Sequence, residues 1–229
     1  MPSVGNCATP RFESYTMPLD SFSILLLTLG GYLIGSLSFA VIVSRFMGLD
    51  DPRTYGSQNP GATNVLRSGN KQAAIATLLL DAFKGFLPVF LIKHGGQAFG
   101  LDERAVALVA ISAFMGHVWP VFFRFQGGKG VATAAGVILG IEPMLGLATL
   151  GTWLIVAFFF RYSSLAAVSA AVFAPVYYGL GHRIAWQASE AELFAIVIMS
   201  AILLWRHQGN IVRLVRGQES RIGAKKDAS

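Results

Sequence analysis

Three polar stretches carry the residue types that bind and move phosphate groups. The first, YGSQNPGATNVLRSGNK at 55–71, combines Ser57, Asn59, Asn64 and Arg67 with Gly56, Gly61 and Gly69. Glycines let backbone N–H groups approach a ligand, and arginine offers phosphate a planar fork. Its GATNVLR part can open a helix, whose free N–H groups favour an anion; an ordinary turn-rich loop has the same composition. The second, GHVWPVFFRFQGGKG at 116–130, places Gly127, Gly128 and Lys129 after an aromatic run. Lys129 suits an anionic phosphate, or snorkels at a membrane surface. His117 can serve as base, acid or neutral donor, or satisfy carbonyls at a helix end. The third, RHQGNIVRLVRGQES at 206–220, spaces His207, Asn210 and Arg213 three apart, so that they share a helix face. A basic helix skimming a membrane is the alternative there. Ser164 follows the Arg161 turn and faces the same side, or serves helix packing. Glu219 is a weaker candidate.

The frame holding these stretches is membrane-like. The chain has 229 residues, 54% hydrophobic and only 13% charged; soluble domains carry about 25% charged residues. Residues 22–44, 73–92 and 144–160 contain just two charges, Asp81 and Lys84. Such runs match the roughly 20 apolar residues that cross about 30 Å of hydrocarbon. Asp81 and Lys84, three apart inside the second run, are expected to pair on one helix face in a supporting role. The spans are also rich in Gly, Ala and Ser, which allow tight helix contact in lipid.

An all-α polytopic protein of seven membrane segments is expected. The spans are Phe22 to Ser44, Ala73 to Ile92, Arg104 to Gly116, a short segment 131–141, then 144–160, Ser164 to Leu180 and Ala191 to Trp205. Glu142-Pro143 splits the fourth from the fifth, because proline is a poor interior helix residue. The rival count is five or six, with 131–160 re-entrant or one bent helix. With the amino terminus outside and the carboxy terminus cytoplasmic, 13 of the 18 Lys and Arg fall on the inner side, as the positive-inside rule requires. The polar stretches then all face the cytoplasm. Residues 1–20 read as an amino-terminal extension, with Met17 opening a more compact start; 21–221 form one domain, and 222–229 a basic tail.

The net charge of +6 gathers at the ends of apolar runs, which favours lipid headgroups over nucleic acid as the partner. Cys7 is the only cysteine, so no thiolate cluster or intrachain disulfide can form. There is no GxSxG elbow and no HExxH metal spacing. No histidine has an aspartate five positions later, so the HxxxxD arrangement of peripheral glycerolipid acyltransferases is absent. A helical bundle with broken helices also suits transport of a phosphorylated solute. Against this, the polar groups cluster at one surface instead of midplane, and no inverted repeat is visible. A headgroup-binding scaffold is the third class.

The three blocks GSQNPGATNVLR, GHVWPVFFRFQGGKG and HQGNIVRLVRGQES, with LLLDAFKG at 78–85 and RYSSLAA at 161–167, resemble the bacterial membrane glycerol-3-phosphate acyltransferases that use acyl phosphate as donor. The resemblance covers about residues 20–221. It implies a multi-pass inner-membrane enzyme with its site facing the cytoplasm. That enzyme moves an acyl group from acyl phosphate to the 1-hydroxyl of sn-glycerol 3-phosphate without metal or organic cofactor, and a monomer suffices. It implies phosphate binding by Ser57 and Arg67, with Asn59 and Asn64 shaping their loop. It gives site roles to Lys129, His207 and Asn210 and, more loosely, Ser164. The family often has glycine where this chain carries Gln58.

Overall fold

The computed structural model describes residues 21–223. The expected extension 1–20, its Met17 start, and residues 224–229 of the tail lie outside the described residues. Among those described, the only strand-like feature is an isolated bridge between His182 and Trp186; the rest is helix and loop, as expected. The helices are α1 Ser21–Gly35, α2 Phe39–Phe46, α3 Ala62–Val65, α4 Lys71–Gly95, α5 Glu103–Val118, α6 Val131–Ile141, α7 Pro143–Phe160, α8 Ser163–Leu180, α9 Glu190–Arg206 and α10 Gln208–Val215.

Their limits follow from local chemistry. Asn70 caps α4 by accepting the Ala73 N–H at 3.0 Å. Asp102 caps α5 by accepting the N–H groups of Arg104 and Ala105. The expected interruption at Glu142-Pro143 is present: Glu142 caps α7 by accepting the Met144 N–H at 3.2 Å, and Pro143 takes the first turn, where its missing donor costs nothing.

The expectation of seven membrane segments is overturned. Among the described residues, four helices are long and apolar enough to cross a membrane, or five if the bent pair α1–α2 counts as one span. The expected first span is broken: α1 and α2 meet at 43°. The short segment α6 has 11 residues, only about 17 Å of helix; it packs inside the bundle. The expected last span, α9, has 17 residues and begins with Glu190 and Glu192. Apolar patterning alone does not distinguish a lipid-crossing helix from a short one buried by its neighbours.

The outside of the bundle is apolar. Phe158, Phe159 and Phe160 are 78%, 72% and 58% exposed, which identifies a lipid-facing flank. Inside, helices touch backbone to backbone. A Cβ on Gly35 would strike the carbonyl of Ala113, and one on Gly116 would strike that of Tyr32, so α1 and α5 meet through glycine. Gly85 lies against the Thr133 carbonyl and Gly136 against that of Ala82, joining α4 to α6. Lipid tails give no hydrophobic drive for helix association, so close van der Waals contact must supply it.

The Asp81–Lys84 pair forms, but in the interior instead of on the helix surface. Lys84 Nζ lies 2.8 Å from Asp81 Oδ1, with both side chains 3% exposed or less. It also donates to the Leu37 carbonyl at 2.5 Å. Leu37 sits in the α1–α2 break, where carbonyls lose their helical partners. The ammonium therefore satisfies the break as well as the carboxylate. His117 Nδ1 stands 3.6 Å from the same Asp81 oxygen.

Gly136→Leu is expected to lower stability in detergent by about 2 kcal/mol or more, since overpacking costs about 1–3 kcal/mol and here the obstacle is backbone. Thermal unfolding beside the surface control Gly151→Leu, where a Cβ meets nothing within 4 Å, checks this; equal stability of the two variants would refute the close-contact account.

Candidate active site

Asn210, Ser164 and Arg213 converge on one carboxylate, and Lys129 joins them through Asn210. Lys129 Nζ donates to Asn210 Oδ1. Asn210 Nδ2 donates to Glu219 Oε1 at 2.6 Å, and Ser164 Oγ donates to the same oxygen at 2.8 Å. Arg213 Nε reaches Glu219 Oε2 at 2.8 Å. Arg67 Nη2 donates to the adjacent Ser220 at 3.1 Å. Residues from the 55–71 loop, the GGKG loop, the start of α8 and the carboxy-terminal segment thus form one cluster at one end of the bundle.

Each part of the cluster is held from behind. The buried Asn64 accepts the Ser57 N–H at 3.0 Å and donates to the carbonyls of Pro52, at 2.6 Å, and Tyr55, at 3.2 Å. It fastens the loop that carries the exposed Ser57. Asn59 also lies in this loop, its amide beside Gly61. Gln58 has φ +55°, a left-handed conformation that costs a non-glycine residue about 1–2 kcal/mol. That is a physical reason for glycine at this position in the resembled family.

The GGKG loop folds back on the end of α5. The Gly128 N–H donates to the His117 carbonyl at 3.2 Å. A Cβ on Gly128 would strike His117 Nε2, and one on Gly127 the His117 carbonyl. Arg206 Nη2 donates to the carbonyls of Gly127 and Gly128 at 3.0 and 3.3 Å. Glycine is required at both positions because the loop lies flat on the His117 backbone and ring.

The pocket is electropositive and partly dry. Burial pushes Lys129 down to about 8; Glu219 opposes the shift, and Arg213, Arg206 and Arg67 add to it. Burial pushes His207 down to about 4, so it is neutral at pH 7. Its Nδ1 lies 2.8 Å from the Leu203 carbonyl; a carbonyl only accepts, so Nδ1 carries the proton and Nε2 the lone pair. Burial alone would raise Glu219, but hydrogen bonds from Asn210, Ser164 and Arg213 outweigh it and hold the carboxyl below its usual range. Four cations, Lys129, Arg67, Arg206 and Arg213, lie around one carboxylate, so the cluster carries an excess of positive charge.

The sequence-derived candidates divide cleanly. Arg67, Lys129, Ser164, Asn210 and Arg213 are brought together, His207 is buried beside them, and Ser57 stands on their loop. His117 touches the GGKG loop from behind. Asp81 and Lys84 lie deeper and reach His117 instead of the cluster. Glu219 is the hub, although the sequence marks it only weakly: it lies beyond the end of α10, where helical spacing gives no signal. Arg206 was missed; its one signal is its place beside His207.

A multi-pass helical membrane protein with a cluster of cations and hydrogen-bond donors at one end is the class that fold and site define. The glycerol-3-phosphate acyltransferase family matches residues 25–217. A glycerol-3-phosphate acyltransferase of Albidiferax ferrireducens is 61% identical over 213 residues, 93% of this chain and 95% of that protein. One of Paraburkholderia phytofirmans is 65% identical over 207 residues, 89% and 93% of the two chains. Two crystal structures of PlsY (YgiH), an integral membrane glycerol 3-phosphate acyltransferase, superpose with TM-scores of 0.80 for its glycerol 3-phosphate form and 0.78 for its lysophosphatidic acid form. Each is 35% identical and covers 88% of this chain and 96% of that one. The chain belongs to the glycerol-3-phosphate acyltransferase family, and is a multi-pass protein of the bacterial inner membrane.

The Lys129 shift sets a pH dependence. Above pH 8 the free ammonium loses its proton, whereas a bound phosphate dianion retains it. Glycerol 3-phosphate affinity should therefore fall about tenfold per pH unit above 8, measured by calorimetry on the detergent-solubilised protein. Lys129→Arg should flatten that limb; an unchanged limb in the variant would remove Lys129 from the pocket.

Proposed function

We propose that the chain transfers an acyl group from acyl phosphate to the 1-hydroxyl of sn-glycerol 3-phosphate. The new ester makes lysophosphatidate, the acyl–phosphate bond breaks, and inorganic phosphate leaves. The convergence of Asn210, Ser164 and Arg213 on Glu219, with Lys129 bonded to Asn210 and Arg67 alongside, carries this reading together with the family membership. Two phosphate-bearing substrates need such an excess of donors.

Acyl phosphate is a mixed anhydride and needs little activation, so the main task is to bring two anions together and aim one hydroxyl. Arg67 and Lys129 clamp phosphate, with Ser57, His207 and Asn210 as further donors or orienting groups. Their charges also stabilise the phosphate as it departs. Asn59 and Asn64 hold the first loop, Gly127 and Gly128 bring the second close to the ligand, and Ser164 orients Glu219 with Arg213. His117, packed against Gly128, positions the GGKG loop, with Asp81 and Lys84 behind it. His207, held near pKa 4, is a weak base. A substrate phosphate, with a second pKa of about 6, suits the hydroxyl proton better. Transfer is direct, with no acyl-enzyme, and uses no metal or organic cofactor. The acyl chain lies in the bilayer or in an apolar groove between helices. Residues 21–221 act as one unit, as a monomer, with the site facing the cytoplasm.

Purified protein supplied with palmitoyl phosphate and glycerol 3-phosphate should form lysophosphatidate and phosphate in equal amounts. Lys129→Ala should lower kcat/KM by about 100-fold or more, the scale of losing one donor to developing charge. Activity with acyl thioesters and none with acyl phosphate would reject the donor. A trapped acyl-serine would reject direct transfer.

A further inference from the structure

Beside the candidate active site, a second basic feature has no part in the chemistry above. The loop after α2 and the loop after α5 enclose a cleft of about 520 Å³, lined by Asp51, Arg53, Phe122, Phe123, Arg124 and Gln126 among others. Arg53 is pre-organised: its Nε and Nη2 grip Asp51, with Nη2 at 2.6 Å from Oδ2, and its guanidinium lies 5.9 Å from the Phe123 ring centroid. Arg124 makes no hydrogen bond or ion pair among the described residues. Two arginines and one aspartate leave the cleft with a net positive charge.

The second loop is held in an unfavourable shape. Arg124 and Phe125 are successive non-glycine residues at φ +55° and +59°. The turn is closed by the N–H groups of Phe123 and Phe125, which both donate to the Pro120 carbonyl at 3.1 and 2.9 Å. Backbone strain of this kind persists only where the surroundings enforce it, and it often marks a working surface. Here it sets an unpaired arginine in the cleft wall while Phe122 and Phe125, each 57% exposed, stand on the surface beside it. Phe46, at the end of α2 and just before the Asp51–Arg53 loop, is 89% exposed. Exposed aromatics flanking a cationic cleft at the end of membrane helices match an amphiphile: apolar chains against the phenylalanines, an anionic head against the arginines.

We propose that this cleft docks a bilayer lipid through its phosphate headgroup, at a site separate from the acyl-transfer pocket. The ligand class is a net-anionic phospholipid such as phosphatidate, with its chains still in the membrane; the choline cation of phosphatidylcholine would meet the two arginines. Arg124 supplies the free guanidinium, and Arg53 the edge not spent on Asp51. Arginine at such a place recognises phosphate through a bidentate fork, and the aromatics restrict the site to ligands that stay in the bilayer.

The test uses the whole protein in nanodiscs of phosphatidylcholine containing a trace of phosphatidate. Native mass spectrometry counts protein molecules that retain phosphatidate after release. Arg124→Gln should lower retention about fivefold, the scale of one arginine facing an anionic headgroup. Arg124→Lys, which keeps the charge but loses the fork, should fall between the two, and acyl transfer measured in pure phosphatidylcholine should be the same in all three proteins. Equal retention by the wild type and Arg124→Gln overturns the site. Removal of the lipid by excess inorganic phosphate also overturns it, since the cleft would then hold a soluble phosphate. Loss of acyl transfer in Arg124→Gln would instead join the cleft to the catalytic pocket and sink the claim of a separate site.

Discussion

Backbone contact through glycine is the constraint on which the rest of the molecule depends. In lipid no hydrophobic force drives helices together, so α1 meets α5 at Gly35 and Gly116, and α4 meets α6 at Gly85 and Gly136. The same device continues into the candidate site, where Gly127 and Gly128 lie flat against His117. The position of Lys129 is thus an extension of helix packing. A side chain at any of these glycines would move the loop as well as part the helices.

The bundle also contains a broken helix, and the carbonyls freed at the break have to be satisfied. Between α1 and α2 the orphaned Leu37 carbonyl is met by the buried ammonium of Lys84, itself neutralised by Asp81. Such a pair is costly to bury and is strongly destabilising to break singly, because the survivor is left as an uncompensated charge. Asp81 and Lys84 therefore serve the bundle first. Through the nearby His117 they also bear on the loop that carries Lys129.

At the pocket the electrostatics run the other way. The cations outnumber Glu219, and burial leaves Lys129 with a weakened hold on its proton. A bound phosphate relieves this repulsion, so affinity for anions is built into the unliganded charge distribution. Glu219 holds Asn210, Ser164 and Arg213 in fixed orientations, and donors that need no reorganisation are worth most to a transition state. For a reaction whose donor is already activated, that is the contribution a protein can usefully make.

Local composition and spacing were enough to determine the membrane class, the three polar blocks and the interruption at Glu142-Pro143, whereas the left-handed backbone at Gln58 came from the structure. The first three depend on residues close together in the chain. The number of crossing helices was decided by the helix limits that the structure fixes: α6 is apolar but has 11 residues, and α9 has 17 and carries Glu190, Glu192 and Arg206. Tertiary structure alone decided Glu219 as hub and Lys84 as the cap of a broken helix. Lys129 meets Asn210 across 81 residues and Ser164 meets Glu219 across 55. No periodicity reports such a meeting; it exists only once the helices are packed, which is why the residues were readable and their convergence was not.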